Sequence, residues 1–210
     1  MNRREFVART SQGVVGLGLM GFWGCRHHTR AKVLRPDQPD MVGTTGAGAE
    51  TYKPLVDTAV TNLLERHRSG IQVAGGPAPQ PPRICFVAVE NRSAEEMCDF
   101  KEQLYEHIDG QIGQSGVYHL TSKRFVDAAL RDTSLRPDEL FLPKNRRSFA
   151  QALEQQGEPV DYLLFAKLTS GTTRKGRDMQ RDYVLTLELV NVSTGEYDKE
   201  SAKIRKKYDR

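Results

Sequence analysis

The stretch RDYVLTLELVNVSTGEYDKESAKIRKKY, Arg181–Tyr208, decides the fold class. Its first half reads at the two-residue period of a β-strand, and Ser-Thr-Gly at 193–195 is a hairpin signal leading into a second strand candidate. Immediately upstream, VDYLLFAKLTSG at 160–171 is a further strand candidate. The C-terminal third is therefore a run of antiparallel hairpins.

Toward the N-terminus the period changes to 3.6. Leu55, Val56, Ala59, Val60, Leu63 and Leu64 lie at helical spacing in a segment that ends at Gly70. ICFVAVEN, 84–91, is unbroken and apolar, as a strand buried on both faces should be. Ser93–Glu96, SAEE, has the form of a capping box, followed by a stripe of Met97, Phe100, Leu104, Ile108 and Ile112 on one helix. VYHLTS is a short strand, and SKRFVDAALRD a third helix with Phe125, Val126, Ala129 and Leu130 inward. TSLRPDELFLPKNRR carries turns, and SFAQALEQQG is a short helix closed by Gly157. Early alternation of helices and strands followed by late hairpins predicts an α/β sandwich with a mixed, mainly antiparallel sheet of about four strands flanked by helices.

The first residues belong to a different category. MNRREF precedes the apolar run GLGLMGFWGC, which is far shorter than the roughly 20 residues that cross a hydrocarbon core. With Arg3 and Arg4 ahead of the run and a small residue before Cys25, residues 1–24 have the layout of a cleavable export signal. FWGC resembles a bacterial lipobox, which would make Cys25 the lipidated first residue of the mature chain. NRREF resembles a twin-arginine export motif, with a generic secretory signal as the alternative. Residues 25–49 are rich in Pro, Gly and charge without a period, and read as the lipidated N-terminus and its disordered tether. The globular domain is expected at 50–208, interrupted by a Pro-rich insert at 75–83.

Of 210 residues, 28% are charged and the formal net charge is +4. That mild basicity is compatible with anionic partners without demanding them. The chain has three cysteines. Cys85 and Cys98 lie in or beside apolar stripes and read as buried thiols, with a disulfide between them as the alternative in an exported protein. Gly-x-Ser-x-Gly, His-Glu-x-x-His, P-loop and Gly-x-Gly-x-x-Gly patterns do not occur. His67, His107 and His119 lack a spaced carboxylate partner. The expectation is a non-enzymatic protein with no cofactor, metal or small-molecule substrate, and export makes nucleic acid an improbable partner.

Three segments, ICFVAVENRSAEEMCDFKEQLYEHI, FLPKNRRSFAQALEQQGEPVDYLLFAKLTSGTT and YVLTLELVNVSTGEYDKESAKIRKKY, together resemble the LpoB family of penicillin-binding-protein activators. The likeness covers about 52–208. It implies a domain similar to the N-terminal domain of TolB, held as a lipoprotein at the periplasmic side of the outer membrane. It further implies docking on a class A penicillin-binding protein, which stimulates peptidoglycan synthesis without chemistry by the lipoprotein. Three basic segments, KNRR (144–147), TTRKGRD (172–178) and KIRKKY (203–208), read either as solubilising charge or as a protein-binding edge, and under that resemblance the loops KNRR and TTRKGRD are the expected contacts. Arg146, Arg147, Arg174, Lys175 and Arg177 would face an acidic patch, with Phe141 and Tyr183 as anchors. A structural lipoprotein of a curli-type secretion assembly is the alternative.

Overall fold

The computed structural model describes residues 46–71, 80–97 and 100–208, together with positions 34, 38, 39 and 42. The export signal with Arg3 and Arg4, the Cys25 lipidation site, Cys98 and most of the tether and Pro-rich insert lie outside the described residues.

Among the described residues four helices and five strands follow in the order α1 (Ala49–Ile71), β1 (Arg83–Arg92), α2 (Phe100–Ser115), β2 (His119–Leu120), α3 (Lys123–Thr133), α4 (Pro143–Gln155), β3 (Tyr162–Lys175), β4 (Asp178–Asn191) and β5 (Tyr197–Tyr208), with a 3-10 turn at Pro137–Phe141. The single sheet has the order β2-β1-β3-β4-β5. Strand β1 is parallel to both β2 and β3, whereas β3, β4 and β5 form an antiparallel meander. The sheet is mixed and mainly antiparallel as expected, with five strands where about four were expected.

Chain connectivity explains the layering. Parallel strands need right-handed crossovers. The step from β1 to β2 and the return from β2 past β1 to β3 run in opposite directions across the sheet, so their helices fall on opposite faces. On one face α1 and α2 bury Leu55, Val60, Leu104 and Ile108 against Phe86, Leu164, Leu185 and Leu187. On the other, α3 and α4 bury Val126, Ala129, Phe149 and Leu153 against Cys85, Leu163, Phe165 and Val190. Burying a side chain of this size contributes about 1.5–3 kcal/mol.

Helix ends follow from local sequence. Gly157, at φ +82°, closes α4 in the left-handed conformation, with Glu158 N–H donating to Leu153 O (2.9 Å) and Gly157 N–H to Glu154 O (2.9 Å). Two local expectations are corrected. SAEE does not cap a helix: Asn91 Oδ1 accepts from Ser93 N–H (2.9 Å) and turns the chain. Helix α2 then begins at Phe100, leaving Glu95 free for a tertiary role. KNRR is not a loop, because Pro143 opens α4 and carries those residues in its first turns. Phe125, expected inward on α3, remains 39% exposed.

Glu95 is the hub of a polar network under α1. Its carboxylate accepts from Ala47 N–H (2.8 Å), from Arg181 and from the Tyr183 hydroxyl. Beside it, Lys206 donates to Gly46 O (2.7 Å) and to Glu50 (2.8 Å). Burial works against ionisation of both carboxyls, and the hydrogen bonds outweigh it, so the pKa values of Glu95 and Glu50 fall below their ordinary 4.5.

The folded state therefore binds fewer protons at these groups than the unfolded chain. Their stabilisation is complete above the ordinary carboxylate range and is lost as pH falls through the lowered values. Urea titrations should show a falling unfolding midpoint below about pH 4.5. Glu95→Gln should cost about 2–3 kcal/mol at neutral pH by leaving Arg181 unpaired, and should flatten that acid dependence. An unchanged midpoint would exclude the network from stability.

Candidate functional site

With α3 and α4 over β1 and β3 and α1 over β4 and β5 on the opposite face, half of one sheet face carries no helix among the described residues. Strand alternation and register lay out its rows. Phe165, Glu188 and Lys199 form one row, then Lys167, Thr186 and Ser201, then Thr169, Val184 and Lys203, then Gly171, Asp182 and Arg205. The rising alternation along β5, with Lys199, Ser201, Lys203, Arg205 and Lys207 exposed and Ala202 and Tyr208 buried, follows from this one-sided cover.

Charges on the open face are matched across strands: Lys167 to Glu188 (3.3 Å), Lys203 to Asp182 (2.7 Å), and Arg92 to Glu90 (2.6 Å) along β1. Exposed pairs of this kind contribute little stability. Thr186 and Ser201 share a hydroxyl contact at 3.1 Å. A rim of exposed apolar side chains borders the face. Phe141 is 47% exposed and packs on Phe165 with ring centroids 4.6 Å apart; Leu142 and Tyr197 are 59% and 70% exposed. Aromatic residues partly sunk beside paired charges are what a protein partner can bury. Among the described residues no His, Cys, Asp and Glu side chains gather in a metal-binding group.

The structure separates the residues the sequence proposed as contacts. Phe141 is at the rim, and Arg147 is exposed on α4. Arg174, Lys175 and Arg177 stand on the β3–β4 hairpin, whose two-residue turn places Gly176 at φ +60°. Arg147 lies beside Val160, Val192 and Ser193, at the start of β3. The hairpin is at the other end of that strand, about 40 Å away at the usual rise per residue.

Two assignments are corrected. Tyr183 is fully buried, its hydroxyl held by Glu95, and cannot anchor a partner. Arg146 is also buried, with its Nε–H donating to Val192 O (3.2 Å) and its guanidinium lying over Gly195. A Cβ at Gly195 would lie 2.6 Å from Arg146 Nη2, and its φ of +78° independently favours glycine. Arg146 is thus a latch between α4 and the β4–β5 turn. Sequence reasoning marked KIRKKY, which the structure places on β5 with Lys203, Arg205 and Lys207 exposed, and missed Lys199 and Leu142. The period-two alternation of charge through KESAKIRKK was the available signal for Lys199.

Comparison with known proteins gives a family model, described as peptidoglycan-synthase activator LpoB, that matches residues 52–198. The C-terminal domain of LpoB from Salmonella enterica is similar at 16% identity, covering 73% of this chain and 97% of that one, with a TM-score of 0.47. The corresponding Escherichia coli domain is 17% identical over 70% of this chain and 97% of that one (TM-score 0.41). Lipoprotein GNA1162 from Neisseria meningitidis is 16% identical over 60% and 84% (TM-score 0.41). No curated protein matches.

The latch and the exposed arginine respond differently to charge reversal. Arg146→Glu should lower stability by about 2 kcal/mol or more, through loss of a charge-assisted bond and burial of a carboxylate against Val192 O. Arg147→Glu should leave the thermal midpoint nearly unchanged. Equal melting of the two variants would remove the latch.

Proposed function

The chain belongs to the LpoB family of peptidoglycan-synthase activators, and from that premise we propose that it docks on a class A penicillin-binding protein and raises its rate of cell-wall synthesis without itself catalysing a reaction. In this proposal residues 1–24 direct export, Cys25 carries the lipid, and the domain works on the periplasmic side of the outer membrane. The observation that carries the proposal is the family match over 147 consecutive positions, 52 to 198 inclusive.

The open sheet face is the docking surface we assign. Phe141 and Leu142 supply apolar area that water leaves on contact, and the matched charges around Lys167, Glu188 and Lys199 set register. Arg147, beyond the rim, would meet the partner's edge. Activation by docking requires differential affinity. A partner that binds resting and active synthase equally shifts nothing, and each tenfold preference for the active form corresponds to about 1.4 kcal/mol. Rigid strands suit this task, since a surface that does not reorganise spends its binding energy on the partner's conformation.

The test is glycan polymerisation by a purified bifunctional synthase of the same organism, with and without the mature lipoprotein. Stimulation is expected, and an unchanged rate together with no measurable complex would overturn the proposal. Phe141→Asp should weaken the complex about tenfold or more and abolish stimulation with the melting temperature retained. Unchanged affinity in that folded variant would move the docking surface elsewhere.

A further inference from the structure

The β3–β4 hairpin runs on past β1, whose last partner on β3 is Thr169, while β5 follows β4 as far as Met179. Residues 171–177 are exposed at every position, hence on both faces, so this end of the sheet is an arm that no helix among the described residues covers. From the Thr169–Val184 pair to Gly176 it extends about 23 Å, and only its turn lies beyond β5. Six exposed cations gather on the arm and the adjoining end of β5: Arg174, Lys175, Arg177, Lys203, Arg205 and Lys207. Asp178, Asp182 and the exposed Glu96 of the neighbouring loop are the acids set against these six, while Glu50 and Glu95 are offset by Lys206 and Arg181. Three positive charges remain in excess here, out of a net +4 for the whole chain.

The described chain enters the domain at this same end. Lys206, opposite Arg181 in the register, holds Gly46 O, and Glu95 holds Ala47 N–H. Helix α1 then runs away from the arm to the far end of β5, where Arg66 pairs with Asp198 (2.6 Å) and with Glu200.

We propose that this basic end is a membrane-contact surface that seats on the anionic phospholipid headgroups of the bilayer to which the chain is anchored. The proposal rests on Cys25 as the anchor for its geometry. Twenty residues lie between Cys25 and Gly46, a length that would span about 25 Å as a flexible coil and about 70 Å at full extension. A domain suspended from Gly46 presents its arm toward the bilayer within that reach, and the tether converts lipid contact into an intramolecular step at millimolar effective concentration. Each Lys or Arg near an anionic surface adds to the attraction, and a net excess of three suffices to orient a tethered domain without fixing it.

An acidic protein surface is the competing occupant, and the arm's composition disfavours it. Gly171, Thr172, Thr173 and Gly176 offer no large apolar side chain, and Met179, the one on the return strand, is half-buried between Arg174 and Tyr208, so the apolar core of a protein interface is lacking. Arg174 and Lys175 also point to opposite faces of the ribbon, and a diffuse layer of headgroups receives both, whereas a single protein face does not. Seated this way, the sheet stands on its arm with the open face turned sideways, clear of the bilayer.

The experiment is sedimentation of the chain from residue 25 onward, carrying Cys25→Ser to remove the lipid, with vesicles of phosphatidylcholine alone or mixed with phosphatidylglycerol. Binding to the mixed vesicles only, lost at high salt, is expected. The triple variant Arg174→Gln, Lys175→Gln, Arg177→Gln should partition about tenfold or more weakly, with an unchanged thermal melt. Equal partitioning of parent and triple variant, or no preference for the anionic vesicles, would overturn the proposal. So would a triple variant that loses the synthase while the parent ignores vesicles, which would make the arm a protein contact. Vesicle binding does not require the synthase, so failure of the activator proposal and failure of this one are separable.

Discussion

Right-handed crossover is the constraint from which the rest of the molecule follows. Because β1 is joined to β2 on one side and the chain then passes back over β1 to reach β3, α2 must fall on one face and α3 with α4 on the other. The antiparallel meander that follows brings no helix with it. Helix α1, arriving from the N-terminus, covers β4 and β5 on the α2 face, and their other face stays open. Strand composition answers this directly: β1, covered on both faces, is apolar through Ile84–Val89, whereas β5 alternates between exposed cations and buried Ala202 and Tyr208. Among the described residues β5 is an edge strand, and its lysines disfavour pairing with a second copy.

The polar network around Glu95 completes the arrangement. A helix that packs only through its apolar stripe is poorly fixed along its axis, since hydrophobic burial is not directional. Hydrogen bonds from Ala47 N–H to Glu95 and from Lys206 to Gly46 O supply the missing direction. They also set where the chain enters the sheet, at the arm end, and so decide which end of the domain faces whatever holds the N-terminus. The proposed roles fall on different surfaces, an open face with an apolar rim for a protein and a charged arm, poor in apolar side chains, for an anionic surface.

Period and punctuation were legible early. Val126 and Ala129 on α3, Phe149 and Leu153 on α4, and the alternation of β4 all occupy the faces their spacing implies, because side-chain direction is set by backbone geometry over a few residues. The family likeness was equally legible, since it rests on long stretches of strand and helix. Exposure of single polar residues was not. Arg146 and Arg147 are adjacent and chemically identical, yet one is buried on Val192 O and the other solvated, because a turn of 100° on α4 separates them. Tyr183 had the composition of an interface anchor and became a core residue through Glu95, a residue whose local pattern suggested a helix cap.

By itself, the sequence determined the α/β class, the order of elements, the hairpins and the family, all of which depend on short-range periodicity and turn chemistry. Tertiary structure alone decided which half of the sheet is left uncovered, which cations reach solvent, and that Arg147 and the Arg174–Arg177 arm stand at opposite ends of β3. Those properties come from the packing of segments distant in sequence, where Glu95 meets Arg181 and Lys206 meets Gly46. No local pattern encodes them, because each partner's alternative is water, and only the assembled core determines which side chains lose it.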